Sequence, residues 1–264
     1  MPELNIQIVD AFTTRQFSGN QAAVVVLDAW LAPELMQSIA SENNLSETAF
    51  VVRNAAGIHE IRWFSPLKEI DFCGHATLAS AFVIFAADPA LSEIVFEARA
   101  VGRLPVRKTG NGLIEMAFPN RAPQPLTEVP EALRRGLSIA PVAYLKNQQA
   151  YFAVLADEAA VRLVEPDLER LKSLGPLDVV VTARGDGFDF VSRYFWPANG
   201  GVEDPVTGSI HAGLAPYWGA ILGKRELLAC QASRRSGVLH CRLGEDSVFV
   251  SGACVSYLKG RISV

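Results

Sequence analysis

Three side chains that can exchange protons stand at turns or strand ends in this sequence: Glu47, His75 and Asp204. Glu47 comes just before an apolar strand, His75 follows Gly74 at the start of an apolar stretch, and Asp204 precedes Pro205. Carboxylate and imidazole groups are the usual general acids and bases of enzymes. Each residue also fits a structural role, as a solvated strand-edge glutamate, a histidine that satisfies backbone groups, or a turn carboxylate. The hypothesis of proton-transfer chemistry therefore depends on their placement at matching turns.

Two turns of the sequence match each other. Residues 72–86 and 203–222 each begin with a polar turn, which contains Gly74 or Gly208, and then remain largely apolar. A helix that is apolar on all sides must be enclosed by protein. Glycine lets backbone N–H groups approach a ligand, and a helix N-terminus favours negative charge. The pattern predicts a duplicated architecture with an anion site where the two N-termini meet, and a His75 that tends to stay neutral.

The elements between these turns are short segments that alternate between apolar and polar residues, which predicts mostly antiparallel strands. A charged helical region is expected near 157–174, and residues 119–130, which contain four prolines, are expected to form a linker. We predict an α+β fold of two similar lobes, each a curved sheet or barrel around a buried helix, with a cleft between them. The N-terminal lobe is expected at 1–118, completed by the C-terminal strand at about 253–264, and the C-terminal lobe at 119–252.

Composition excludes several classes of function. The 264 residues carry a formal net charge of −4, which argues against nucleic-acid binding. The longest apolar run, 77–87, is too short to span a membrane. The N-terminus lacks signal-peptide features, and the four cysteines show no CxxC spacing. We therefore expect a reduced, cytoplasmic protein without nucleic-acid or membrane partners.

Motifs for cofactor chemistry are absent from the sequence. There is no GxGxxG, no GxxxxGK[ST], no HExxH and no GxSxG pattern. We therefore expect activity without a cofactor, and no bound metal. Acid–base chemistry is what remains.

Six short blocks of the sequence resemble, in their order and approximate spacing, the PhzF (phenazine biosynthesis) family, whose fold is similar to that of diaminopimelate epimerase. The match runs from about residue 6 to the last strand. The blocks are Gly19-Asn20-Gln21-Ala22-Ala23-Val24-Val25, Ser46-Glu47-Thr48-Ala49-Phe50, Arg62-Trp63-Phe64-Ser65-Pro66, Cys73-Gly74-His75-Ala76-Thr77, Glu203-Asp204-Pro205-Val206-Thr207-Gly208-Ser209 and Leu214-Ala215-Pro216-Tyr217-Trp218.

The resemblance implies two lobes with a closable cleft, and it places the family's catalytic glutamate on Glu47. Other cleft residues of the family fall on His75, Asp204 and Ser209, and Asn20 belongs to its N-terminal block. In the phenazine enzyme the glutamate moves a proton between two ring carbons without a cofactor. The resemblance also suggests a homodimer.

The combined interpretation is a cofactor-independent isomerase of a small carboxylic acid, cyclic or amino. Glu47, His75 and Asp204 are predicted to be catalytic, while Gly74, Gly208, Ser209 and Asn20 are predicted to bind an anionic substrate. Two alternatives stay open: a non-catalytic protein that binds small acids, and a cysteine-type racemase. The racemase is disfavoured, because the first turn contains Cys73 but the second has no cysteine nearby.

Overall fold

The computed structural model describes residues 3–264, which divide into two compact units. Unit 1 comprises the chain up to residue 117 together with 251–264, and unit 2 comprises 118–250. The strands are, in chain order, β1 (Glu3–Ala11), β2 (Asn20–Leu27), β3 (Glu47–Arg53), β4 (His59–Phe64), β5 (Glu69–Ile70), β6 (Glu93–Ala98), β7 (Gly102–Lys108), β8 (Ile114–Pro119), β9 (Gln124–Pro125), β10 (Ala143–Lys146), β11 (Ala150–Val154), β12 (Asp178–Arg184), β13 (Phe190–Phe195), β14 (Glu203–Asp204), β15 (Glu226–Gln231), β16 (Gly237–Leu243), β17 (Ser247–Gly252) and β18 (Cys254–Ser263).

Among the described residues there are fewer helices than strands. They are α1 (Pro33–Asn43), α2 (Gly74–Ala87), α3 (Glu131–Arg135), α4 (Glu158–Leu163), α5 (Leu168–Lys172) and α6 (His211–Leu222). Ten of the fourteen residues of α2 are buried, as are seven of the twelve in α6. These apolar helices form the centres of their units, because a helix without a polar face can only be stable when strands surround it.

The two units repeat one order of strand pairs. In unit 1, β1 and β2 pair antiparallel, β2 and β3 parallel, β3 and β4 antiparallel, β4 and β6 parallel, and β6 and β7 antiparallel. In unit 2, β10, β11, β12, β13, β15 and β16 pair in the same order and with the same directions. The predicted α+β fold class, with two similar units built on mostly antiparallel strands and a buried helix, is confirmed.

Two local expectations are corrected. Part of the expected linker is strand, because Gln124 and Pro125 pair with β10 inside unit 2. Proline is tolerated in a strand that pairs on one side. The expected charged helix is interrupted at Pro166, since proline cannot continue a helix, and α4 and α5 are instead capped by the side chains of Asp157 and Asp167.

Within residues 3–264, no helix is both long enough and apolar enough to cross a membrane.

Candidate active site

Glu47 and His75 meet inside unit 1. Glu47 is the first residue of β3, His75 is the second residue of α2, and both are more than nine-tenths buried. The Nε2 atom of His75 lies 3.1 Å from Oε2 of Glu47. Glu47 is therefore not a solvent-exposed residue at the edge of a strand, which was the structural alternative for this position.

Asn20 orients the histidine ring. It is the first residue of β2 and is fully buried. Its Nδ2 atom lies 3.1 Å from Nδ1 of His75, and its Oδ1 atom accepts a hydrogen bond of 3.3 Å from the hydroxyl of Ser46. An amide nitrogen can only donate, so this contact fits the neutral ring, with Nδ1 as the acceptor and the proton on Nε2, which faces Glu47. In the doubly protonated ring the Asn20 amide turns over, and its oxygen accepts from Nδ1. In either protonation state Asn20 contacts the ring at Nδ1, and the Nε2 proton lies on the side of Glu47.

The charge of the site favours a protonated histidine. Burial alone would lower the pKa of His75, but the hydrogen-bond contact with the sulfur of Cys73 and the negative charge of Glu47 raise it well above the ordinary value of 6.5. The expectation of a neutral His75 came from the helix N-terminus, whose partial positive charge is weaker than a full carboxylate charge at hydrogen-bond distance.

One oxygen of Glu47 is left without an aligned hydrogen bond. Oε2 is buried and has no hydrogen-bond partner of acceptable geometry within residues 3–264, although His75 is close to it. This oxygen is therefore an acceptor that a bound ligand can reach with a hydrogen bond of its own.

Cys73 lies beside this pair but is not activated. It is buried, and its Sγ atom lies 3.4 Å from Nδ1 of His75. Burial, followed by the nearby charge of Glu47, raises the pKa of the Cys73 thiol to about 11. The thiol therefore stays protonated at neutral pH, whereas nucleophilic cysteines need a lowered pKa.

The same three residues could hold a metal. Ligand atoms of Glu47, Cys73 and His75 lie within 4.8 Å of one another. Zinc accepts this combination of oxygen, sulfur and nitrogen ligands. A metal would compete with protons for the same atoms, since a ligating thiol must first lose its proton. Activity without a metal remains a prediction.

In unit 2, the other predicted residues share one turn. Asp204 accepts a hydrogen bond from the Thr207 hydroxyl, and the buried Gln231 bonds the backbone of Asp204 and of Thr207 at 2.8 Å each. Gly208 and Ser209 precede α6, which begins only at His211. Asp204 therefore makes the contacts expected of a carboxylate that stabilises a turn. The predicted site residues of unit 2, Asp204, Gly208 and Ser209, lie together. Those of unit 1, Asn20, Glu47, Gly74 and His75, do so as well.

Sequence reasoning missed three residues linked to Ser209. Gln149 donates to the Ser209 hydroxyl at 2.9 Å, and its amide also bonds the hydroxyl of Tyr194 at 3.2 Å. Tyr194 in turn donates to Asp178 at 2.6 Å. Asp178 opens the buried strand β12 as Glu47 opens β3, and this match was the signal that could have revealed it.

Fold and site together define a two-unit α+β protein with a buried carboxylate–histidine pair. A family model described as "Phenazine biosynthesis-like protein" matches residues 9–260. The chain therefore belongs to the PhzC-PhzF family, as its motifs predict.

Individual relatives agree with this assignment. A Pseudomonas aeruginosa protein described as an uncharacterized isomerase is 46% identical over 98% of this chain and 99% of its own length. A Halalkalibacterium halodurans protein with the same description is 41% identical over 97% of each chain. A crystal structure of an Enterococcus faecalis protein of the PhzF family, 41% identical, superimposes with a TM-score of 0.95 over 100% of both chains. Both of these bacterial relatives are thus described as isomerases, without a named substrate.

Proposed function

We propose that the protein is a cofactor-independent isomerase of a small carboxylic acid, in which Glu47 transfers a proton between two carbon atoms. The observation that carries the proposal is the buried Oε2 atom of Glu47, which lies 3.1 Å from His75 and has no aligned hydrogen bond within the described residues. The isomerase descriptions of relatives that cover nearly the whole chain support the reaction class.

In this mechanism Glu47 takes a proton from a carbon next to an electron-withdrawing group and returns it to a second carbon. The double bond shifts as the proton moves, so the product is an isomer and Glu47 ends in its starting state. Carbon acids are weak, so the base must be dry and held in place. Burial excludes water from Glu47, and the Asn20–His75 contact fixes the neighbouring ring.

His75 stabilises the Glu47 carboxylate before the first transfer and after the second. Its raised pKa favours a ring proton that stays close to Glu47 while the carboxylate is charged. When Glu47 takes the substrate proton, the charge that held the His75 proton disappears and the pKa of His75 falls. The ring can then donate to the charge that develops on the substrate.

The remaining assignments belong to this proposal. Asp204 is the second acid–base group, and Ser209, Gly208, Gly74 and Asn20 bind the substrate. Ser209 is partly exposed and can therefore reach a ligand.

A cysteine-type racemase is a weaker alternative. Such an enzyme needs a thiolate, and burial keeps the pKa of Cys73 at about 11. In unit 2 the described thiols of Cys230 and Cys241 are buried within strands rather than in the turn before α6.

The test is solvent exchange. The protein, treated with EDTA, is incubated in D2O with a panel of cyclic and acyclic α-amino, α-hydroxy and unsaturated carboxylic acids, and deuterium incorporation is followed by NMR. We expect at least one acid to exchange a C–H proton without added metal. Binding without exchange by any acid would favour a binding protein. Exchange that stops on chelation and returns with zinc would assign Glu47, Cys73 and His75 to a metal.

A further inference from the structure

A chain of hydrogen bonds in unit 2 ends at Ser209. It runs from Asp178 to Tyr194 (2.6 Å), from Tyr194 to Gln149 (3.2 Å) and from Gln149 to Ser209 (2.9 Å). Asp178 and Tyr194 come from β12 and β13, Gln149 immediately precedes β11, and Ser209 lies in the turn before α6. Contacts between residues 16, 45 and 60 positions apart are not a by-product of local backbone geometry.

The direction of every bond in this chain follows from counting protons. The Tyr194 hydroxyl has one proton, which it donates to Oδ2 of Asp178. Burial, and then the charge of Asp178, raise the pKa of Tyr194 well above 10, so the phenol keeps this proton. Its oxygen must therefore accept from Gln149, whose Nε2 atom is a donor only.

The amide of Gln149 then has one proton left, and that proton is directed to Oγ of Ser209. Ser209 accepts this bond, so its own hydroxyl proton is not used within the chain. The anchor of this arrangement is the carboxylate of Asp178, whose other oxygen accepts a bond of 2.8 Å from Asn199.

We infer that Asp178, Tyr194 and Gln149 are positioning residues that hold Ser209 as a hydrogen-bond donor toward an acceptor oxygen of the bound acid. This inference rests on the proposed function in one respect, namely that the ligand is a small carboxylic acid. Without the chain, the amide of Gln149 could turn over, take the Ser209 proton on its oxygen and leave only a lone pair for the ligand, which would repel an anion.

The first test needs no ligand. Neutron diffraction from crystals of the perdeuterated protein locates the exchangeable deuterium atoms. We expect the Tyr194 deuterium on the side of Asp178, the two Gln149 amide deuterium atoms toward Tyr194 and Ser209, and the Ser209 deuterium pointing away from Gln149. A Ser209 deuterium directed at Gln149 would overturn the inference.

The second test compares two charge-matched variants. In Gln149→Glu the new carboxylate can only accept, so it takes the Ser209 proton, whereas Gln148→Glu adds the same charge at the neighbouring, exposed residue. Acetate is the probe, and the backbone amide signals of Gly208 and Ser209 report its binding by NMR. We expect Gln149→Glu to weaken acetate binding at least tenfold and Gln148→Glu less than twofold.

A double-mutant cycle shows whether the effect passes through Ser209. In a Ser209→Ala background, Gln149→Glu should weaken acetate binding no more than Gln148→Glu does. Equal losses with and without the Ser209 hydroxyl would assign a merely electrostatic or structural effect to Gln149. If no acid exchanges in D2O but these results hold, the proposed reaction fails and the positioning role of the chain stands.

Discussion

Glu47 and Asp178 occupy the same position in the two repeats and differ in their hydrogen bonds. Each is the first residue of its strand, and each is paired with an alanine, Ala22 or Ala150. Asp178 is bonded on both oxygens, by Tyr194 and Asn199, whereas Oε2 of Glu47 has no aligned partner within residues 3–264. A fully bonded carboxylate is a structural anchor, and one with an open oxygen is a candidate base.

The two units also differ in where the carboxylate lies relative to the turn before the central helix. In unit 1 the Glu47 carboxylate lies beside the start of α2, with its Oε2 atom 3.1 Å from Nε2 of His75. In unit 2 the carboxylate is at the far end of the hydrogen-bond chain and Ser209, before α6, has a proton to give. The duplicated scaffold thus places a carboxylate at one turn and a hydroxyl group at the other, and we expect the variants below to separate their roles.

The largest expected effect is on Glu47. Glu47→Gln keeps size and hydrogen-bonding groups but removes the base, so exchange of the substrate proton should fall by about 10²–10⁴-fold. The rates of deuterium incorporation of the variant and the wild type are compared, with the acid that exchanges in the D2O experiment as the substrate. Glu42→Gln, at an exposed position of α1, is the matched control and should retain full activity.

A rate for Glu47→Gln within about twofold of wild type would remove Glu47 from the reaction. Asp178→Asn is expected to alter substrate binding through Ser209 without removing the base. Equal losses of turnover in both variants would contradict the distinction between base and anchor.

The second prediction concerns two buried histidines near the two helix starts. Burial lowers the pKa of His211 to about 4, only partly offset by its bond to the Thr207 carbonyl, while the pKa of His75 is raised. A histidine with a lowered pKa stabilises the fold above pH 6.5 and loses that contribution as the pH falls toward 4, by about 1.4 kcal/mol per pH unit. The contribution of His75 is present below pH 6.5 and is lost as the pH rises through its raised pKa.

Nitrogen-15 NMR of the imidazole rings checks both directions without any substitution. At pH 5.5 His211 should be neutral, with its proton on Nδ1, since that atom faces the Thr207 carbonyl oxygen at 2.9 Å. His75 should be charged at the same pH. Two rings that both titrate near 6.5 would show that the electrostatic difference between the sites is absent.

The sequence could predict the pieces of the site but not all of their connections. The glycine turns, the buried helices and the residues Glu47 and His75 follow from local patterns, because helix enclosure and turn chemistry are encoded nearby in the chain. The link between Gln149 and Tyr194 joins positions 45 apart, and it exists only because β11, β12 and β13 are neighbours in the sheet. The raised pKa of His75 could not be predicted from the sequence, because the distance to Glu47 depends on this kind of long-range pairing.

The third prediction concerns the last residues of β6 and β15, which are equivalent positions. Ala98 pairs with Gly102, and Gln231 pairs with Gly237. Ala98 lines a cavity of about 740 Å³ in unit 1, whereas the fully buried Gln231 bonds the backbone at Asp204 and Thr207. Gln231→Ala would leave the Thr207 amide unsatisfied, which costs about 1–3 kcal/mol. Urea unfolding measures this loss as a lowered midpoint. Ala98→Gly is the control in unit 1 and should lower the free energy of unfolding by about 1 kcal/mol or less.

The smallest expected effect comes from two equivalent ion pairs. Arg62 bonds Glu69 across β4 and β5, and Arg193 bonds Glu203 across β13 and β14. The side chains of the first pair are 26% and 44% exposed, and those of the second are 15% and 19% exposed. Exposed pairs contribute about 0.2–1 kcal/mol and are screened by salt, so Glu69→Gln should lower the free energy of unfolding by less than about 1 kcal/mol, and less still in 1 M salt. Glu203→Gln should cost more and depend less on salt, because water screens that pair less. Urea unfolding at low and high salt measures both variants, and equal costs with equal salt dependence would show that the difference in burial has no energetic consequence.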